Sequence, residues 1–406
     1  MAISRLPSRR LVIVSLTVGA SVQCAGHRGP SAALPPATPV IVFPFELRNN
    51  HLHIRALVNG DSVWLVLDTG APRTTLDRSW ALGIGALPIE KRPDPAHPST
   101  RAWVDSIAIG NLRLRRFEVD LTHFDQVSAN DGRLVRGLLG TDALIRYTVE
   151  IAPHERVIRL YDPAAYAAPP TGTTARLDMR RGSLVTRARL TTAKGHPLWA
   201  NLVLDTGASR LCLIMNRSFY YHHDDRLASS PSIPAPLGVG IEGQLSGRVT
   251  RLTKVQVGTY VIEQPTVGLP DDSSVRVLDF PFDGVLGNRV LSRTGVVIDY
   301  ARKRLIFAAR VTPPDACSYD MSGLFLTASG DSLTGVRVAY VTPESPASDA
   351  QVQTGDEILA IDGRRVDDIG LENVREALTV EGARPNLVLM RGVDTVRVSL
   401  ILRPLL

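Results

Sequence analysis

The sequence predicts a mainly β protein, in which two similar β lobes are followed by a small α+β domain. Short alternating runs of apolar and polar residues, separated by turn residues, fill positions 40–310 and are typical of β structure. The stretch Leu-Val-Leu-Asp-Thr-Gly-Ala occurs twice, at 65–71 and at 202–208, with its aspartates 137 residues apart. Such a repeat indicates an internal duplication. From residue 322 onward, strand patterns alternate with helical ones.

The composition describes a folded protein rather than a nucleic-acid binder or a disulfide scaffold. With 406 residues, 44% hydrophobic and 21% charged, the chain is long enough for about two to three domains. Its net charge of +6 is spread along the chain, without a dense basic block that alternates with aromatic residues, so we expect no nucleic-acid partner. The three cysteines, Cys24, Cys212 and Cys317, have no metal-binding spacing.

The N-terminal residues 1–25 are typical of an export signal. Three arginines precede the mostly apolar run 11–22, which is too short to span a bilayer. Two processing patterns fit this segment. Residues 18–20 (Val-Gly-Ala) match an ordinary cleavage site, whereas residues 21–24 (Ser-Val-Gln-Cys) resemble a bacterial lipobox, in which Cys24 would be lipidated. The protein would then meet a membrane only through this lipid.

Residues 26–39 are rich in Pro and Ala and are expected to form a flexible tether. The next two segments, 40–166 and 172–310, are the predicted lobes. In each lobe an apolar-apolar-Gly element follows the Asp-Thr-Gly triplet, at 138–140 and at 285–287. The two copies are offset by 137 residues at the aspartates and by 147 at these glycines, so the second lobe contains extra residues, which we place around 230–247.

The two triplets predict a specific chemistry. An apolar run that ends in Asp-Thr-Gly indicates a buried strand followed by a tight turn, which holds a carboxylate beside the core. A single aspartate of this kind is usually only a turn former. If two-fold symmetry brought Asp68 and Asp205 together, the two carboxylates would share one proton, because like charges at close range cannot both ionise. That is the chemistry of an aspartic peptidase.

The paired Asp-Thr-Gly-Ala strands and their glycine elements resemble the retropepsin-like aspartyl proteases over residues 40–310. The resemblance implies a bilobal acid-protease β-fold in which Asp68 and Asp205 bracket one water molecule. The ionised carboxylate would deprotonate this water for attack on the scissile carbonyl, and the protonated one would donate to the oxyanion. It implies no metal and no cofactor. Because both triplets lie in one chain, we expect a monomer with an intramolecular pseudo-dimer.

The resemblance also assigns roles to the neighbours of the aspartates. Thr69 and Thr206 would interlock across the two-fold axis, and Gly70 and Gly207 would let backbone N–H groups approach the carboxylates. The next residue is alanine in both copies, where pepsin-like enzymes carry a hydroxyl that stabilises the ionised aspartate. Without that donor the pKa values of the pair should be higher, so we expect activity at mildly acidic pH.

A glycine-rich stretch in the second lobe, which includes Gly238, Gly240 and Gly243, predicts a flap hairpin that closes over the substrate. A loose surface loop is the alternative. The equivalent stretch of the first lobe, 89–101, is rich in proline and is expected to be stiffer and shorter. The cleft should therefore be asymmetric.

Residues 322–406 resemble a bacterial PDZ domain. The motifs are Ser-Pro-Ala at 345–347 and Gly-Asp-Glu-Ile-Leu-Ala-Ile-Asp-Gly at 355–363. The resemblance implies that a peptide adds as a strand at the sheet edge. The candidate peptide groove contains Gly323, Leu324 and Phe325 and lies opposite the helical stretch 371–378. Packing against the protease lobes is the alternative role.

Histidines and cysteines leave two questions open. His51 and His53 would share one face of a strand, and residues 222–225 (His-His-Asp-Asp) are expected to form a loop. We interpret these side chains as solvated surface groups, with a metal site as the alternative. We interpret Cys212 as a core residue. The alternative is a disulfide bridge between Cys212 and Cys317.

The sequence therefore predicts an exported aspartic endopeptidase that acts on peptide or protein substrates, in the bacterial periplasm or cell envelope. Its PDZ domain would bind substrate or a partner peptide. The alternative is an inactive envelope protein that binds peptides through the PDZ domain. The presence of both aspartates and both threonines favours the enzyme, because a binding module needs neither pair.

Overall fold

The structure is a computed structural model that describes residues 38–89, 100–169, 172–227, 230–271, 281–308, 317 and 319–406. The predicted export signal, the candidate lipid site Cys24 and most of the tether lie outside the described residues. In the part of the chain that is described, no helix has the length and apolar character needed to cross a membrane. The predicted fold class is confirmed: two β lobes precede a smaller α+β domain.

The first lobe is built from short strands joined by tight turns. Its first two hairpin turns, at Asn49-Asn50 and Asn59-Gly60, have positive φ angles, which Asn and Gly adopt most readily. Asp77 caps the first helix by accepting a hydrogen bond from the backbone N–H of Trp80. The elements are β1 (Ile41–Arg48), β2 (His51–Val58), β3 (Asp61–Leu67), β4 (Thr75–Asp77), α1 (Arg78–Gly83), β5 (Leu87–Pro88), β6 (Thr100–Ile109), β7 (Leu112–Thr122), α2 (Asp125–Asp131), β8 (Gly137–Leu139), a 3-10 turn (Thr141–Ala143), β9 (Thr148–Ala152) and β10 (Val157–Tyr161).

The second lobe repeats this plan. Its elements are β11 (Thr173–Arg180), β12 (Ser183–Thr191), β13 (Pro197–Asp205), β14 (Leu213–Met215), α3 (Arg217–His222), α4 (Asp224–Leu227), β15 (Ser232–Gly240), β16 (Gly243–Arg251), β17 (Lys254–Val257), β18 (Tyr260–Glu263), β19 (Thr266–Pro270), β20 (Gly284–Gly287), α5 (Asn288–Leu291), β21 (Val296–Asp299) and β22 (Arg304–Phe307). The predicted loop at 222–225 is wrong, because most of this segment is helical in α3 and α4.

The strand pairings show the duplication directly. β3 runs parallel to β8, and β13 runs parallel to β20. β4 pairs with β7 and β8 in the same way as β14 pairs with β19 and β20. One sheet, with strand order β1-β10-β9-β21-β22-β11, joins the lobes through the β9–β21 pair. Buried apolar side chains form one core cluster that includes residues of both lobes.

The C-terminal domain has a separate apolar core. Its sheet has the order β23-β24-β25-β27-β28. Ser345 caps α6, and Pro346 occupies the first helical turn, where its missing N–H costs no hydrogen bond. α7 begins before the predicted 371, and Gly370 interrupts it with a φ of 76°. The elements are β23 (Leu324–Ser329), β24 (Gly335–Val341), α6 (Pro346–Asp349), β25 (Glu357–Ile361), β26 (Arg364–Arg365), α7 (Val366–Ala377), β27 (Asn386–Arg391) and β28 (Asp394–Ser399).

A disulfide joins Cys212 to Cys317, which confirms the bridge that the sequence left open as an alternative. Cys212 is also a core residue, and both side chains are buried. The bridge ties the second lobe, just before β14, to the segment that leads into the C-terminal domain.

Candidate active site

The two candidate catalytic aspartates occupy equivalent places in the two lobes. Asp68 directly follows β3, and Asp205 is the last residue of β13. The backbone N–H groups of Gly70 and Ala71 donate to Asp68 Oδ1 over 2.8 and 3.1 Å. Those of residues 207 and 208 donate to Asp205 Oδ1 over 2.8 and 3.0 Å. Each carboxylate therefore has one oxygen fixed by its own turn.

The glycines of the triplets make room for the carboxylate of the opposite lobe. A Cβ atom on Gly70 would lie 2.5 Å from Cγ of Asp205, and one on Gly207 would lie 2.6 Å from Oδ2 of Asp68. Real Cβ atoms do not approach this closely. Glycine is thus required at both positions because a side chain would collide with the opposite carboxylate. The sequence does not reveal this requirement, which adds to the need for close approach of the N–H groups.

The two threonines lock the turns together. The N–H of Thr69 donates to Thr206 Oγ1 over 3.0 Å, and the N–H of Thr206 donates to Thr69 Oγ1 over 3.1 Å. Each hydroxyl then donates to a carbonyl of the opposite lobe, that of Leu204 at 2.9 Å or that of Leu67 at 2.7 Å. Because both side chains are buried, the four hydrogen bonds are shielded from water.

The downstream glycine elements allow the chain to cross behind each turn. A Cβ on Gly140 would lie 2.4 Å from the backbone carbon of Arg73, and one on Gly287 would lie 2.5 Å from the carbonyl oxygen of Leu211. Only glycine permits this contact between backbones.

The surroundings of the pair favour a shared proton. Burial raises the pKa of Asp68. Burial and the neighbouring charge of Asp68 together raise the pKa of Asp205 well above its usual value. Two carboxylates in this position retain one proton over a range of pH, so one acts as a base while the other is an acid.

The cleft extends to both sides of the pair under the predicted flap. On one side a cavity of about 410 Å³ is lined by Asp68, Asp205 and residues of both lobes. On the other side a cavity of about 190 Å³ has a largely apolar wall from the second lobe. The hairpin of β15 and β16 borders both cavities, and both Gly238 and Gly240 line the second one.

Gly243 lies at the turn of this hairpin, with a φ of +123°. A Cβ atom at this position would lie 3.7 Å from Oε1 of Gln126 on α2, so the hairpin reaches across to the first lobe. The predicted stiff counterpart at 89–101 lies largely outside the described residues. In the described part, β5 pairs with the beginning of β6.

The candidate groove residues of the C-terminal domain face in different directions. Gly323 has a φ of +82° and packs against Ser345, and Leu324 belongs to the core of the domain. Phe325 instead lines the smaller cavity, together with Asp205, and its ring centroid lies 4.7 Å from Cζ of Arg210. The C-terminal domain therefore contributes a side chain to the cleft beside the aspartate pair.

The outer edge of this domain lies against the first lobe. A Cβ on Gly132, which ends α2, would lie 3.3 Å from Cβ of Leu371 on α7 and 3.9 Å from Cβ of Ala328 on β23. Arg375 donates to the Leu326 carbonyl of β23 over 2.6 Å. The groove between β23 and α7 is thus covered by α2, and the packing role left open by the sequence is observed. Peptide binding there remains a prediction that requires these contacts to open.

The interpretation of His51 and His53 as solvated surface residues is wrong, because both side chains are buried. Both reach Asp131 at the end of α2. Nδ1 of His51 lies 2.9 Å from each oxygen of this carboxylate, and Nε2 of His53 lies 3.1 Å from Oδ2. The three side chains lie within reach of a single cation. In this structure His51 hydrogen-bonds to Asp131, whereas the two ring nitrogens of His53 make no well-aligned hydrogen bond. Sequence reasoning missed Asp131, because it is about 80 residues away from the histidines in the chain.

Comparisons with known proteins match two regions. Residues 54–143, which include Asp68, match a family described as aspartyl protease, and residues 337–391 match a PDZ domain family. No match was found among curated proteins.

Three solved structures are similar to parts of the chain. A retropepsin-like aspartic protease from Rickettsia conorii is 22% identical, with a TM-score of 0.23, over 30% of this chain and 88% of that one. The photosystem II D1 C-terminal processing protease is 27% identical, with a TM-score of 0.20, over 21% of this chain and 23% of that one. The HtrA3 PDZ domain bound to a phage-derived ligand is 26% identical, with a TM-score of 0.19, over 20% of this chain and 83% of that one. At these TM-scores the three structures add nothing to the family matches.

Proposed function

We propose that this chain, in which a retropepsin-like aspartyl protease region is followed by a PDZ domain, is an exported aspartic endopeptidase. The observation that carries the proposal is the symmetric aspartate pair. Each carboxylate is held by two N–H groups of its own turn and lies against the glycine of the opposite turn. The interlocked threonines hold the turns in this arrangement without help from a second chain.

The proposed reaction is hydrolysis of a peptide bond by water bound between Asp68 and Asp205. The ionised carboxylate takes a proton from the water, whose oxygen forms a bond to the scissile carbonyl carbon. The protonated carboxylate donates its proton to the carbonyl oxygen. Collapse of the tetrahedral intermediate re-forms the carbonyl and breaks the C–N bond. The departing nitrogen takes up a proton from the pair, and one hydroxyl of the intermediate returns a proton to the pair. Water has then been added across the bond, and the pair holds one proton again.

The β15–β16 hairpin supports this proposal, because it can cover a bound peptide and exclude water from the reacting atoms. The apolar cavity beside Asp205 suits a large apolar side chain of the substrate. Phe325 forms part of that wall, so we propose that the PDZ domain contributes to substrate selection inside the cleft.

Export is supported by the disulfide between Cys212 and Cys317, because such bonds persist in oxidising compartments. With the signal pattern of residues 1–25, it favours the bacterial periplasm or cell envelope. Ordinary cleavage of the signal and lipidation of Cys24 are the two alternatives within this proposal, and a lipid there would anchor the protein to the membrane. The competing role, an inactive protein that acts through its PDZ domain, would need a free groove, and this groove is covered by α2.

The test is cleavage of an unbiased peptide mixture between pH 3 and 8. The parent protein would be compared with Asp68→Asn and Asp205→Asn. We expect each substitution to reduce the rate by at least about 10³-fold, since each removes an acid–base partner. The folded state of both variants would be checked by their melting temperatures.

Three results would contradict the proposal. A parent that cuts nothing at any pH would contradict the activity, and cleavage that survives both substitutions would contradict the assigned pair. A rate that still rises as the pH falls to 3 would contradict the effect expected of the two alanines, which leave the pair without a hydroxyl donor.

A further inference from the structure

His51 connects the two lobes beneath the catalytic turn of the second lobe. Its Nδ1 lies 2.9 Å from both carboxylate oxygens of Asp131, and its Nε2 lies 2.8 Å from the carbonyl oxygen of Gly207. A carbonyl oxygen and an ionised carboxylate only accept hydrogen bonds. Both ring nitrogens must therefore carry a proton, which makes the ring a positively charged imidazolium.

The contacts of Asp131 support its ionised form. Besides His51, its Oδ1 accepts from the side-chain amides of Asn49, over 3.1 Å, and Asn130, over 3.2 Å. Nε2 of His53 lies 3.1 Å from Oδ2. A carboxylate that accepts from several donors is stabilised in its charged form. Burial raises the pKa of Asp131, but the charge and hydrogen bonds of His51 outweigh burial. They hold the pKa of Asp131 well below its usual range.

The pKa of His51 follows the same geometry. Burial lowers it, but the charge and hydrogen bond of Asp131 outweigh burial and raise the pKa to about 9. His53 lacks a contact with the catalytic turn, and burial lowers its pKa. The two histidines are thus expected to differ in charge at neutral pH.

A single peptide group links His51 to Asp205. The carbonyl of Gly207 accepts from His51, and the N–H of the same peptide group, on Ala208, donates to Asp205 Oδ1 over 3.0 Å. A positive charge at the carbonyl polarises the peptide group and strengthens its N–H as a donor. Asp131 lies on the opposite side of the ring, so the positive end of the ion pair faces the catalytic turn.

The second lobe has no such group at the equivalent place. His53 lies opposite Val66, two residues before Asp68, and Val185 lies opposite Val203, two residues before Asp205. By this register His51 corresponds to Ser183. The imidazolium is therefore not a requirement of the duplicated fold, which holds the other turn without it.

We infer that His51 is a positioning residue that keeps a positive charge beneath the catalytic turn and thereby extends the activity of the aspartate pair to lower pH. The inference rests on the proposed function, since it concerns the same pair. The charge favours release of the first proton from the pair, whichever carboxylate loses it. The titratable groups around His51 and Asp131 are Asp68, Asp205, His53, Arg48 on β1, Arg133 after α2 and Arg375 on α7.

The charge is tested by nitrogen NMR of the histidine rings in the full chain. We expect both nitrogens of His51 to be protonated at pH 7.5 and to lose a proton only near pH 9. His53 should be neutral at the same pH and serves as the internal control. A neutral His51 ring at pH 7.5 would overturn the inference, even if the protein cleaves peptides.

The positioning role is tested by the pH profile of kcat/KM for the parent, His51→Gln and His53→Gln. Glutamine keeps a neutral donor, and the two variants remove similar buried rings two residues apart. We expect the acidic limb of His51→Gln to move up by about one pH unit, because an adjacent charge shifts a carboxyl pKa by this amount or more. The limb of His53→Gln should not move. A uniform loss of rate in His51→Gln, or an equal shift in both variants, would overturn the role.

A further variant covers the case in which His51→Gln fails to fold. Asp131→Asn removes the counter-charge that raises the pKa of His51, so the His51 ring should lose its proton at a lower pH than in the parent; an unchanged titration of this ring by NMR would contradict the inference. If the parent itself cuts no peptide while NMR finds the imidazolium, the proposed function fails and the positioning role fails with it. A parent that cuts peptides with a neutral His51 overturns only the inference.

Discussion

The two lobes hold their aspartates in the same way, yet they differ in almost everything around them. The N–H groups, threonine hydrogen bonds and glycine contacts of one turn are repeated in the other. The first lobe alone supplies the imidazolium and its partner Asp131, whereas the second supplies the long β15–β16 hairpin and the disulfide. The symmetric parts place the two carboxylates. The asymmetric parts shift the pKa values of the pair and cover it.

The largest expected effect in this comparison concerns the disulfide, which belongs to the second lobe. Cys317→Ser opens a loop whose ends are 105 residues apart, so we expect the free energy of unfolding to fall by about 4 kcal/mol. Denaturant unfolding under oxidising conditions measures this. Reduction of the parent should reproduce the loss, and the variant should be insensitive to reductant. An equally stable variant would show that the bridge does not constrain the unfolded chain.

The ion pair of the first lobe should make stability depend on pH. The pKa of His51 is raised from 6.5 to about 9 in the folded protein, so its contribution is fully present below pH 6.5 and is lost as the pH rises through 9. This difference in pKa corresponds to a contribution of at most about 3 kcal/mol to the free energy of unfolding. Melting temperatures between pH 6 and 10 should fall for the parent and stay flatter for His51→Gln. A parallel decline in both proteins would assign the effect to other groups.

The threonine pair tests the symmetry itself. Thr69→Val and Thr206→Val each remove a buried hydroxyl that serves as donor and acceptor, at an expected cost of about 2 kcal/mol each. The double variant should lose less than the sum, because each hydroxyl already serves the opposite turn. Denaturation midpoints of the single and double variants provide the measurement. A clear difference between the denaturation midpoints of the two single variants would show that the two turns are not equivalent.

The smallest expected effect concerns the PDZ side of the cleft. Phe325→Ala should raise KM by about 10-fold, equivalent to about 1.4 kcal/mol, for peptides with a large apolar side chain next to the cut. Leu324→Ala is the matched control, because this neighbour is also buried but belongs to the core of the domain. If both variants change KM equally for all peptides, Phe325 acts through stability rather than through substrate contact.

Much of the architecture was predictable because it depends on local patterns. The alternating runs predicted the strands, and Pro and Gly marked the turns. Some boundaries differed. The residue pattern over 249–257 predicts one continuous strand, but the structure divides this stretch between β16 and β17, where the chain leaves one pairing partner for another. Pairing partners are distant in sequence, so such breaks carry little local signal.

The sequence by itself determined the duplicated lobes, the aspartate triplets with their threonines and glycines, and the domain that follows, because each depends on short motifs with regular spacing. Only the tertiary structure decided the roles of His51, Asp131 and Phe325. Asp131 becomes the partner of His51 through the packing of α2, and Phe325 reaches the cleft because the PDZ domain docks on both lobes. A buried charge or an aromatic wall acquires its role from neighbours far along the chain, and only folding brings these neighbours together.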